Sequence, residues 1–121
     1  VARPARPFGI APALGAVLIP PMRVIALRTL RQFWEVHPQG REAEAALRAW
    51  YAEATRADWA TPADVKAQYR QASVLKSGRV VFNVAGNTFR LVVRINYPYR
   101  VVYVRFVGTH AEYDAIDADA V

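Results

Sequence analysis

The chain predicts an α+β fold in which a short N-terminal strand and two to three helices pack on a twisted antiparallel sheet. Two observations carry this reading. Apolar residues recur at helical spacing from Leu27 to Ala54, and from Arg79 onward the pattern changes to a period of two, interrupted by the turn signals Gly86-Asn87 and Tyr97-Pro98. With 121 residues the chain is one domain's worth, large enough for a core without disulfides or a structural metal.

The elements follow in order. Arg23 to Ala26 is a short apolar strand candidate. Leu27, Leu30, Phe33 and Trp34 then share one helical stripe that stops near His37-Pro38, because a proline disfavours helical backbone in the residue before it. A second helix runs from Arg41 to Arg56 and carries Ala43, Leu47, Trp50, Tyr51 and Ala54 at the spacing of a buried face. Thr61 is a good N-cap with Pro62 in the first helical position and Asp64 in the first turn, so a short third helix should turn Val65 and Tyr69 inward.

Arg79 to Val84, Phe89 to Asn96 and Arg100 to Val107 read as three strands of a meander. One face must be apolar against the helices, and this fixes register. A Gly86-Asn87 tip sets Val84 against Phe89, Phe82 against Leu91 and Val80 against Val93. A Tyr97-Pro98 tip puts Phe106, Val104, Val102 and the stem of Arg100 on that same inner face. Outside, Asn83, Arg90 and Arg105 should form one row and Arg79, Arg94 and Val101 another, with Val81, Val92 and Tyr103 between them. Arg90 would then face Arg105, and Arg79 would face Arg94.

Residues 1–21 differ in composition from the rest. They hold Pro4, Pro7, Pro12, Pro20 and Pro21 and no acid, and Met22, the only methionine, opens a segment that looks like a protein start. They are expected to be a poorly ordered upstream or added extension to a domain at 22–121. No segment has the length and apolarity of a membrane span.

The charge distribution points to a partner. The net charge is +6, and all but Lys66 and Lys76 of the 16 basic residues are arginine. Between Asp64 and Glu112 there is no acid, while Lys66, Arg70, Lys76, Arg79, Arg90, Arg94, Arg100 and Arg105 lie there. Like charges facing each other across strands repel, so a one-signed sheet face calls for a polyanion, RNA first. The chain has no cysteine, which removes thiolate chemistry and cysteine-ligated zinc. His37 and His110 are too few for a metal cluster, and neither a metal nor another cofactor is expected. Ser73 and Ser77, the only serines, lie in no nucleophile elbow, and no phosphate-binding glycine loop is present.

The strings Gly86-Asn87-Thr88-Phe89-Arg90-Leu91 and Val102-Tyr103-Val104-Arg105-Phe106-Val107-Gly108-Thr109-His110-Ala111-Glu112-Tyr113-Asp114 resemble the HigB family of bacterial toxins, in the RelE/ParE superfamily. Met22-Arg23-Val24-Ile25, Phe33, His37-Pro38 and Trp50 also fit, so the resemblance runs from Met22 to Asp117. It implies a compact RelE-like fold and a metal-independent endoribonuclease, an mRNA interferase of the cytoplasm that often works on the translating ribosome. It also implies a cognate helix-turn-helix antitoxin. A gyrase inhibitor of the ParE kind and a plain RNA-binding module are the competing readings.

Such an enzyme needs a base for the ribose 2′-OH, donors for the charged phosphorane and an acid for the leaving oxygen. Arg90 and Arg94 are the first candidates for the phosphate, since they share one face of one strand and arginine forks onto phosphate oxygens. His110 is the proton-transfer candidate, with Tyr113 and Asp114 close enough in the chain to orient it. Strict alternation would put His110 on the inner face unless Gly108 re-aims it; a structural histidine at the sheet's end is the competing role. Tyr113 either stacks on a base, shares in the proton transfer, or closes the core as a C-terminal aromatic. Arg79, Arg105, Lys76, Asn83, Tyr103 and Asn87 complete the candidate RNA-binding set, although a solvated lysine and a turn-forming asparagine would account equally for Lys76 and Asn87.

Overall fold

A computed structural model describes residues 21–121, so the extension expected at 1–21 lies outside the described residues except for Pro21. The elements are β1 (Arg23–Ile25), α1 (Leu27–Val36), α2 (Glu44–Arg56), α3 (Pro62–Gln68), β2 (Ser73–Val74), β3 (Arg79–Val84), β4 (Phe89–Asn96), β5 (Val101–Thr109) and α4 (His110–Asp114). A 3₁₀ turn, Gly40–Ala43, leads into α2. The sheet has the order β1-β5-β4-β3-β2, antiparallel except where β1 runs parallel to β5.

The three main helices cover one face of the sheet. Leu30, Phe33 and Trp34 of α1, Leu47, Trp50 and Ala54 of α2 and Val65 of α3 form one core with Val80, Phe82, Val84, Phe89, Leu91, Val93, Ile95 and Val102. Trp59, 1% exposed, stacks on Phe82 with ring centres 6.1 Å apart, and Trp50 meets the same ring edge-on at 5.4 Å. The turn into α2 can press against α1 because residue 40 is glycine: a Cβ there would lie 2.2 Å from the Phe33 carbonyl oxygen. At α3 the expected cap is a full capping box. The Thr61 hydroxyl accepts from the Asp64 amide and the Asp64 carboxylate accepts from the Thr61 amide.

The first hairpin has the expected register, with Val84 opposite Phe89, Phe82 opposite Leu91, Val80 opposite Val93 and Arg79 opposite Arg94. Its left-handed residues are Ala85 (φ 54°) and Gly86 (φ 68°). Asn87 therefore does not supply the positive φ; its side-chain oxygen accepts from the Asn83 amide group at 3.3 Å.

The second hairpin departs from expectation twice. Its turn spans Tyr97–Arg100, so Asn96 pairs with Val101 and the register is displaced by two residues. Arg100 belongs to this turn, not to a strand. It takes a left-handed φ of 57°, and its Nε donates to Asp58 at 2.7 Å. Then a bulge intervenes: Val93 pairs with Val104 but Val92 pairs with Phe106, which leaves Arg105 as the extra residue. The expected Arg90–Arg105 pair is therefore wrong, and Arg90 faces Gly108 instead. Phe106, expected inside, shares the outer row of Val92, while Val107 turns inward against the core. Tyr103, not Val101, stands opposite Arg94.

Candidate nucleic-acid interface

The outer face carries three rows across β3, β4 and β5. They are Asn83, Arg90 and Gly108; Val81, Val92 and Phe106; and Arg79, Arg94 and Tyr103. The middle row is apolar and covered, with Val92 fully buried and Val81 nearly so. Beyond α4 the chain returns over this face, since the Arg79 guanidinium donates to the Val121 carbonyl at 2.7 Å and 3.1 Å.

This return divides the candidate residues into two groups. Arg90 and Arg94 share a face, with four residues of strand, about 13 Å, between their backbones. At the Arg94 end, Arg79 is engaged by Val121 and by the Ser77 hydroxyl, which relieves its repulsion with Arg94 across the strand pair. The Arg94 side chain is exposed and hydrogen-bonds to no described residue, and the Tyr103 ring lies half-buried beside it. Lys76 is exposed in the turn before β3, and Arg105 projects from the bulge.

At the other end, the first hairpin and α4 meet. The His110 amide donates to the Thr88 carbonyl at 3.1 Å. Arg90 curls back on the same loop and donates to the Asn87 carbonyl at 2.9 Å. His110 is exposed as the first residue of α4, and its Nδ1 lies 3.1 Å from an Asp114 carboxylate oxygen one turn on. The bulge at Arg105 and the cap at Thr109 bring this about: the bulge reverses the facing of β5, and Thr109 then turns the backbone into α4. Tyr113 lies half-buried on α4.

The second histidine also belongs to this end, which its sequence position gave no reason to expect. His37 closes α1, its Nδ1 accepts from the Gln39 amide at 3.0 Å, and its Nε2 donates to Glu112 at 2.8 Å. Glu112 also accepts from the Thr109 amide at 2.8 Å while the Thr109 hydroxyl accepts from the Glu112 amide, a second capping box. The His37 hydrogen bond, then the Thr109 amide, holds the Glu112 carboxyl below the usual carboxylate range. Gly108 permits the approach, because a Cβ there would sit 2.9 Å from Glu112 Oε1 and 2.5 Å from the Phe106 ring. The Thr-His-Ala-Glu spacing was the legible sign of the box; nothing local announced its tie to His37.

Among the described residues, no group of three or more His, Asp or Glu side chains could hold a metal ion, and no helix is long and apolar enough to cross a membrane. Helices on one face of a mostly antiparallel sheet, with arginines on the other and a short helix closing the last strand, make this a RelE-like α+β protein. A family model described as HigB toxin, the RelE-like toxic component of a toxin–antitoxin system, matches residues 43–116, more than half of the chain, and the chain belongs to that family. Membership implies an antitoxin partner. No protein of curated function matches the chain.

Proposed function

We propose that this toxin is a metal-independent endoribonuclease that cleaves mRNA in the cytoplasm, in association with the ribosome. The observation that carries the reading is the meeting of His110, backed by Asp114, with the hairpin bearing Arg90. The Asp114 carboxylate favours a proton on Nδ1 of His110, which leaves Nε2 as the base. The 2′-oxygen gives its proton to that nitrogen and attacks the adjacent phosphorus. The bond from phosphorus to the 5′-oxygen breaks as that oxygen takes a proton from solvent water, and a 2′,3′-cyclic phosphate remains.

Arg90 supplies donors to the phosphorane once it leaves the Asn87 carbonyl, a neutral partner weaker than phosphate. Arg94, Arg105 and Lys76 draw in the flanking backbone, with Arg79 available only when Val121 moves aside. Tyr103 and Tyr113 offer rings for stacking on bases, and Asn83 and Asn87 offer hydrogen bonds beside Arg90. The partner is a helix-turn-helix antitoxin.

The test is induced expression of the wild type, Arg90→Ala and His110→Gln, with growth followed and cellular mRNA ends mapped by primer extension. Arrest with new mRNA ends, lost in both folded variants, is the expected result. Arrest without new ends would replace this reading with that of a non-cleaving inhibitor such as one of gyrase. Cleavage that survives His110→Gln would make the histidine structural.

A further inference from the structure

A cleft of about 520 Å³ opens where the sheet is incomplete. Among the described residues β2 pairs only with Val80 and Val81, so the edge of β3 that faces away from β4 carries no strand beside Phe82, Asn83 and Val84. The chain from Gln68 to Ala72 forms the opposite wall, and the hairpin residues Gly86 and Asn87 close one end. Through Asn83 the cleft is continuous with the outer face, since Asn83 is the direct cross-strand partner of Arg90.

Its lining combines polar side chains with an aromatic ring. Gln71 and the Arg70 guanidinium are exposed and make no side-chain hydrogen bond to any described residue. Asn83 and Asn87 spend one donor and one acceptor on each other, which leaves the Asn83 oxygen and the Asn87 amide group available. The Tyr69 ring, set edge-on to Phe82 at 5.0 Å, gives the wall a fixed aromatic surface, and its hydroxyl is tied to Glu53. An aromatic wall beside free carboxamides and a guanidinium is the chemistry that reads an unstacked base.

We propose that this cleft binds a purine base of the RNA next to the scissile phosphate; the inference deepens the ribonuclease reading and rests on it. The preference for purine follows from the donors present. Carboxamides pair in bidentate fashion with the N6/N7 edge of adenine and guanidinium with the O6/N7 edge of guanine, whereas pyrimidines lack N7. A base seated between Gln71 and Asn83 places its phosphate toward Arg90, one strand away.

The test has two arms on the full chain. In the first, AMP, GMP, CMP and UMP are titrated separately into isotope-labelled toxin while backbone and side-chain amide signals are followed. Purine nucleotides are expected to shift Gln71, Asn83 and Asn87 at concentrations at least threefold lower than pyrimidine nucleotides; no shift in the cleft, or equal shifts from all four, overturns the proposal. In the second, cleavage positions in a synthetic mRNA are mapped for the wild type and for Gln71→Ala, whose fold its own spectrum verifies. A purine bias beside the cut that falls at least threefold in Gln71→Ala supports the cleft, and an unchanged bias overturns it. Purine binding by a wild type that cuts no RNA would retain the cleft and remove the ribonuclease reading. Cutting with a silent cleft would do the reverse.

Discussion

His37 and Glu112 are joined by a 2.8 Å hydrogen bond across 75 residues of chain, and the same carboxylate caps the helix that His110 begins. Because the Nδ1 of His37 accepts from the Gln39 amide, its proton sits on Nε2 and points at Glu112. Glu112→Ala removes both contacts at once. It is expected to cost about 1–2 kcal/mol, the size of a lost cap, and to reduce cleavage further by loosening His110. Urea denaturation and a cleavage assay on the same sample check the two parts.

The same carboxylate gives an acid-side pH dependence. Its folded pKa is lowered, so the stability it contributes is fully present above the ordinary glutamate pKa and is lost as pH falls through the lowered folded value. Glu112→Gln should therefore show a flatter loss of stability than the wild type below the ordinary carboxylate range, and a similar slope near neutrality. Thermal melts across that range measure it.

Gly40→Ala tests the turn between α1 and α2. The added carbon would lie 2.2 Å from a backbone oxygen and 2.7 Å from the Trp34 Cα, neither of which can yield as a side-chain tip would. A loss of about 2–3 kcal/mol is expected from such overpacking, read from the urea midpoint.

Trp59→Ala removes a fully buried ring that stacks on Phe82 and whose indole N–H donates to Gln68 at 3.0 Å. About 3–5 kcal/mol should be lost. Gln68 lines the cleft at the sheet edge, so the cleft's amide signals should broaden in whatever folded protein remains.

Arg94→Ala separates binding from stability. With no described side-chain hydrogen bond to lose, stability should change by less than about 0.5 kcal/mol, while RNA affinity falls and the salt dependence of binding loses about one phosphate contact. Filter binding at several salt concentrations reads both effects.

Much of the fold was legible because one apolar face leaves little choice. Val84 opposite Phe89 follows from alternation alone, and Thr61, Pro62 and Asp64 announce α3 through chemistry local to its first turn. The second hairpin was not legible for the opposite reason. Its turn is lengthened by Arg100, held in a left-handed conformation whose ion pair with Asp58 comes from a distant loop. The bulge lies in a run where Tyr103, Val104, Arg105, Phe106 and Val107 accept either facing, so no residue marks where the parity breaks. The candidate site inherited that uncertainty. The Arg79–Arg94 pair was read correctly, Arg105 was set opposite the wrong residue, and His110 was left between two faces. The cleft beside β3 had no local signal, since it exists only because β2 stops short.

The pairing of β1 with β5 has a consequence for synthesis. Among the described residues Arg23, Val24 and Ile25 find their strand partners at Val101, Val102 and Tyr103, so β1 waits for that pairing until most of the chain has been made. His110 and Glu112 follow that closing strand within a few residues. A ribosome making this protein completes the sheet and the candidate catalytic end almost together, and a prematurely terminated chain lacks both.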